Sequence, residues 1–205
     1  MSEYKFTKDW FSWAPPVWEQ LIPLLPARPE RGGREFLEIG SFEGRSTVWI
    51  AENMMEDVDA LACIDTWEGG EEHVEEHMDE AEQRFDYNRA LLEKKFPHRA
   101  VEKFKGTSVQ WLAHWLVETP QNRENFDFIY IDGSHIAKDV LTDACMAWPL
   151  LKPAGLMVFD DYMWGNPRDI LHRPKPAIDA FCNLFAEEAE IIHVGYQLVV
   201  RKKGE

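Results

Sequence analysis

A chain of 205 residues, 45% of them hydrophobic, carrying a formal net charge of −15 and a pI near 4.9, suits one domain that buries about 70% of its unfolded surface. An acidic balance of that size repels nucleic acid and anionic membranes, so a small-molecule partner is the expectation, with no nucleic acid and no membrane. No apolar run reaches the roughly 18 residues of a membrane span, and MSEYKFTKDWFSWAPP carries charges where a signal peptide has its apolar centre, so the reading is cytoplasmic.

Residues 1–33 hold Trp10, Phe11, Trp13 and Trp18 and read as a helical cover, with stacking on a ligand or a homodimer contact as the other uses of these aromatics; residues 34–205 form the domain itself. Pro and Gly clusters at 14–16, 23–33, 149–155 and 165–176 punctuate the chain. Between them, REFLEIG (34–40), ALACID (60–65), FDFIYID (126–132) and GLMVFD (155–160) are short and strongly apolar, as parallel strands covered on both faces are. Ile136, Val140, Leu141, Ala144, Cys145, Trp148 and Leu151 recur at three- and four-residue steps, which predicts a crossover helix. Ile178, Phe181, Cys182 and Phe185 repeat the pattern after Pro174 and Pro176, which suit a helix start. AEIIHVGYQLVVRKK then offers two strands pivoting at Gly195. The alternation predicts an α/β fold, an open and doubly wound sheet, mostly parallel, with one antiparallel strand at its edge. Cys63, Cys145 and Cys182, odd in number and far apart, read as buried reduced thiols.

In such sheets ligands bind beyond the carboxyl ends of the strands. The residues that matter most are therefore Glu38 to Gly40, Asp65, Asp132 and the adjacent Asp160 and Asp161. In LEIGSFEGRST (37–47), Gly40 and Gly44 let backbone approach a ligand, and N–H groups at the following helix start suit a carboxylate or phosphate. The spacing E-x-G-x-x-x-G is not the G-x-G-x-x-G of dinucleotide binding, which argues against a nicotinamide oxidoreductase. Asp65 either accepts ribose hydroxyls of an adenosyl ligand or solubilises a loop.

EIGSFEGRS, CIDTW, KGTS (105–108), FDFIYIDGSH and LLKPAGLMVFDDY occur in an order that resembles the class I S-adenosylmethionine-dependent methyltransferases, over roughly residues 34 to 202. The branch it is most similar to holds the macrocin- and sugar-type O-methyltransferases and, more distantly, catechol-type enzymes. The resemblance implies a seven-stranded Rossmann-like sheet with an antiparallel terminal strand. It also implies that S-adenosyl-L-methionine is bound by the turn containing Glu38, Gly40, Ser41, Gly44 and Ser46. There Glu38 and Gly40 would hold the amino end of the methionine moiety and Ser46 would reach its carboxylate. Asp65 would take the ribose, Thr107 and Ser108 the adenine, with Asp132 closing the cofactor side.

Metal-dependent relatives place ligands where this chain has Asp132, Asp160 and Asp161, which implies a Mg²⁺ site made by neighbouring strand ends. Such an ion would clamp a substrate hydroxyl and lower its pKa. The alternative has one acid capping a loop and the other solvated. His135, three residues past Asp132, is the candidate base, or else a loop histidine in contact with substrate or water. Some sugar-modifying relatives carry an acid where this chain has Ser134, which leaves the base open.

The stretch TWEGGEEHVEEHMDEAEQ contains H-x-x-E-H at residues 73–77, a literal inverted zinc-peptidase motif without that family's context, and reads as a solvated acidic lid. Arg168, His172, Arg173 and Lys175 follow the acid pair, either to meet an anionic group or to balance carboxylates. The expected activity is methyl transfer to a hydroxyl of a small metabolite or sugar. Two readings compete: a same-fold enzyme that does not methylate, similar to cephalosporin hydroxylases, and a non-catalytic module for a nucleotide-like ligand.

Overall fold

The structure, a computed structural model, describes residues 3–70, 77–118 and 123–204. Its apolar segments form strands β1 (Glu35–Ile39), β2 (Ala60–Asp65), β3 (Ala100–Lys105), β4 (Phe126–Ile131), β5 (Leu151–Phe159), β6 (Ala189–Val194) and β7 (Leu198–Lys202). They pair into one sheet in the order β3-β2-β1-β4-β5-β7-β6. The chain winds outward from β1 to β3, returns to β4 beside β1, and winds the other way, so the topological switch point lies between β1 and β4. The doubly wound α/β sheet read from the sequence is the one found.

Helices cover both faces. On one side α4 (Ser108–Val117), α5 (Ala137–Ala147) and α6 (Lys175–Leu184) bury Leu112, Ala144 and Phe181 against Ile39, Ile129 and Phe159. On the other, α1 (Pro15–Leu21), α2 (Arg45–Asn53) and α3 (Met78–Lys95) bury Trp18, Ile50 and Phe85 against Phe36, Phe128 and Val158. Trp18 is fully buried, its ring edge-on to Phe11, Phe128 and Tyr130 at centroid distances of 4.9, 5.3 and 4.8 Å.

Four details depart from the sequence reading. Strand β3 lies where no strand was expected: AVEKFK carries Glu102, Lys103 and Lys105, charges that a sheet accepts on an edge strand, and β3 is that edge. The antiparallel strand β7 is not the edge but lies one position in, between β5 and β6. Leu198, Val199 and Val200 are almost fully buried, whereas Ile191 and Val194 of β6 are exposed, so the more apolar strand of the hairpin takes the inner position. The crossover helix stops at Ala147 and continues as a short 3-10 turn, Trp148–Leu150, because Pro149 lacks the N–H an α-helix needs. All three cysteines are free, but only Cys63 is buried; Cys145 is exposed on the outer face of its helix.

Among the described residues no helix is long and apolar enough to cross a membrane. Apart from His77, the H-x-x-E-H stretch lies outside the described residues, as does the centre of the acidic segment around it.

Candidate active site

The turn between β1 and α2 is built from glycine for a steric reason. Gly40 has φ +89°, and a Cβ there would lie 2.0 Å from the carbonyl oxygen of Asp132. Gly44, φ +79°, begins α2 in the left-handed region. Glu38 is fully buried and accepts the hydroxyl proton of Thr47, while its Oε1 has no hydrogen-bond partner among the described residues. Burial pushes its carboxyl above the usual range, opposed by the nearby hydroxyls of Ser46 and Thr47. A buried acceptor atom without a donor is costly. Asp65 holds the turn from β2: its Oδ2 accepts the N–H of Ser41 at 2.9 Å and of Phe42 at 2.8 Å, and its Oδ1 that of Trp67 at 2.7 Å. Each carboxylate oxygen has two lone pairs, so acceptor capacity remains for ligand hydroxyls.

Across the switch point, the adjacent aspartates after β5 face opposite ways. Asp160, 7% exposed, points into the protein and accepts from the Tyr130 hydroxyl, from Gln197 Nε2 at 3.1 Å and from the Asp161 N–H at 2.6 Å. Burial, with the charge of Asp161 beside it, raises its carboxyl to about 6. Asp161 has φ +54°, a left-handed conformation that Asp tolerates and that turns its side chain outward. There it lies 2.6 Å from Nε2 of His135 and accepts the Tyr196 hydroxyl at 2.8 Å. Asp132 completes the group, and one ligand atom each from Asp132, His135 and Asp161 lie within 4.8 Å of one another. Burial and the neighbouring Asp160 and Asp161 charges push Asp132 well above the usual carboxylate range. The structure thus regroups the expected Asp132, Asp160 and Asp161 set: His135 converges with Asp132 and Asp161, while Asp160 lies behind them with both oxygens engaged.

Both halves open into one cavity of about 450 Å³, lined on the turn side by Ser41, Ser46 and Asp65 and on the acid side by Asp132, His135 and Asp161. Gly40 and Asp160 also reach its wall. Glu38 and Gly44 are not among the lining residues, nor are Thr107 and Ser108. Thr107 instead caps α4, accepting the Gln110 N–H, and the Ser108 hydroxyl donates to Asp143 at 2.5 Å. Arg168, His172, Arg173 and Lys175 do not line it either; His172 pairs with Asp169, and Lys175 with Asp179. The lining cations among the described residues are Lys8 and Arg45.

Lys8 belongs to an N-terminal strap, read above first as a cover, whose Trp10, Phe11 and Trp13 also line the cavity. The Thr7 N–H and hydroxyl both donate to Glu43, each at 2.6 Å. Trp10 stacks on Phe42 with centroids 5.1 Å apart, and Trp13 meets Tyr196 edge-on at 4.7 Å. Trp164, also unforeseen, packs on His135 with ring centroids 4.0 Å apart. Phe11 and Trp18, offered above as dimer contacts, are buried within the chain.

Residues 37–162 match the family described as a methyltransferase domain. No curated protein matches the sequence. The fold is similar to that of a Corynebacterium glutamicum protein, at TM-score 0.60 and 17% identity over 97% of this chain and 93% of the other. It is also similar to an O-methyltransferase from Bacillus cereus in complex with SAH, at TM-score 0.60 and 19% identity over 98% and 84%. A third likeness is to the mycinamycin-pathway methyltransferase MycE in complex with Mg, SAH and mycinamycin VI, at TM-score 0.58 and 15% identity over 97% and 50%. With the family matched from the first strand through the acid pair, and with the glycine turn and the acids after β4 and β5 facing one cavity, the chain belongs to the methyltransferase-domain family and is an S-adenosylmethionine-dependent methyltransferase.

Proposed function

We propose that this methyltransferase transfers the methyl group of S-adenosylmethionine to a hydroxyl oxygen of a small metabolite or sugar, with a divalent cation assisting. The observation that carries the reading is the convergence of Asp132, His135 and Asp161 on the cavity that Ser41, Ser46 and Asp65 also line. On the turn side, Ser46, which lines the cavity, fits the donor's carboxylate and Asp65 its ribose hydroxyls, while the buried Glu38 holds Thr47 at the start of α2 behind them. On the acid side, the acceptor hydroxyl gives its proton to the hydrogen-bonded pair of His135 and Asp161 as the C–S bond breaks and the C–O bond forms. Within that pair Nε2 of His135 lies 2.6 Å from Asp161 Oδ2, so the carboxylate stabilises positive charge on the ring. Trp164 fixes the ring plane of His135 from its other side.

The two converging carboxylates, Asp132 and Asp161, suit a divalent cation, Mn²⁺ as well as Mg²⁺. Asp132 and Asp161 would hold it, with His135 beside them kept as the base, and when bound it would supply positive charge to the developing alkoxide.

Calorimetry with S-adenosylhomocysteine tests the donor, and absence of binding at millimolar ligand by folded protein overturns it. Mass spectrometry of hydroxylated acceptors tests the reaction: a gain of one CH₂ supports methyl transfer, whereas a gain of one oxygen assigns the site to hydroxylation. His135→Ala lowers kcat by about 10²–10⁴-fold with donor affinity retained.

A further inference from the structure

Asp160 is held by a directed chain of hydrogen bonds that begins in the N-terminal cover. The indole N–H of Trp18, a group that only donates, gives its proton to Gln197 Oε1 at 2.7 Å, from a position 179 residues away in sequence. That contact fixes the orientation of the Gln197 amide, so Nε2 must face Asp160 Oδ2, 3.1 Å away. The Tyr130 hydroxyl lies between the two acids, donating to Asp160 and 3.0 Å from Asp132 Oδ2. Trp18, Tyr130 and Gln197 are each 0 or 1% exposed, so no solvent competes for these bonds.

The geometry has a consequence for the acids. With Tyr130, Gln197 and its neighbour's N–H on its two oxygens, Asp160 has reason to stay turned inward. Tyr130 also fixes Asp132 from behind, since it precedes it by two residues on β4 and touches one of its oxygens. We infer that Tyr130, Gln197 and Trp18 form a positioning unit that retains Asp160 inside the sheet and holds Asp132 toward the cavity, and so sets the cation affinity of the Asp132 and Asp161 carboxylates. The inference rests on the cation clause of the proposed function. None of the three residues touches the reacting atoms.

The test is Mn²⁺ binding to full-length protein, measured by electron paramagnetic resonance, with S-adenosylhomocysteine affinity and melting temperature recorded on the same samples. Tyr130→Phe keeps the ring and removes the hydroxyl; it weakens Mn²⁺ binding by about 10-fold or more while donor-product affinity stays within about twofold. Trp18→Phe keeps an aromatic ring and removes the N–H, freeing the Gln197 amide to turn, and moves Mn²⁺ affinity the same way by a smaller factor. Gln197→Leu falls between them and carries the test if Tyr130→Phe fails to fold. Wild-type Mn²⁺ affinity in the folded variants, even with lowered melting temperatures, overturns the positioning role alone. No Mn²⁺ bound by the wild type overturns the cation clause and this inference together, while binding of S-adenosylhomocysteine reports separately on the donor reading.

Discussion

Gly40 and Asp132 are in backbone contact across the switch point: a Cβ on Gly40 would lie 2.0 Å from the Asp132 carbonyl oxygen and 2.7 Å from the Cα of Gly133. The glycine turn after β1 and the acid after β4 can approach only because one partner has no side chain. Gly40→Ala forces the strand ends apart and also places alanine at φ +89°. We expect a loss of about 3 kcal/mol or more, read as a fall in the urea midpoint, together with loss of S-adenosylhomocysteine binding.

Asp65 ties down the turn through the Ser41 and Phe42 N–H groups. Asp65→Ala leaves those donors unpaired and removes the proposed ribose acceptor at once. The expected outcome is a KM for S-adenosylmethionine raised about 10-fold or more, with a stability loss of about 1–3 kcal/mol in thermal melts. A change in kcat without a change in KM contradicts the assignment.

Asp143 lies under α4, where burial raises its carboxyl to about 6, with the Ser108 hydroxyl pulling the other way and Asp139 adding to the rise. Its ordinary value is 3.8, so the folded protein favours the protonated acid more than the unfolded chain does. Stability from this group is therefore full below about pH 4 and is lost as pH rises toward 6. Asp143→Asn mimics the neutral form and still accepts from Ser108. The variant should be more stable than wild type at pH 7, by on the order of 1–3 kcal/mol, and the gain should vanish near pH 4.

Glu43, 2% exposed, joins three parts of the chain: Thr7 of the strap, its own place in the glycine turn, and Arg84 of α3 at 2.5 Å. Glu43→Gln weakens all three contacts by removing the charge. Limited trypsin digestion should then cut after Lys5 and Lys8 several-fold faster, with the melting temperature lowered by only a few degrees. Unchanged cleavage would show that the aromatic contacts of Trp10 and Trp13 alone retain the strap.

The sequence by itself determined the doubly wound α/β class, the positions of four of its parallel strands, and the strand ends at which Gly40, Asp65, Asp132, Asp160 and Asp161 meet one cavity. Hydrophobic period and glycine placement are local properties, and in parallel sheets they map directly onto topology. Edge strand β3 was not legible because its charges mimic a loop until β2 is there to pair with it. Only the tertiary structure decided how the carboxylates at the cavity divide their partners. Asp160 and Asp161 are equivalent as letters, and their division follows from the left-handed backbone of Asp161 and from donors on Tyr130 and Gln197, the latter 37 residues away. The entry of Thr7 to Trp13 into the site depends likewise on long-range partners, Glu43, Phe42 and Tyr196, that no local pattern announces.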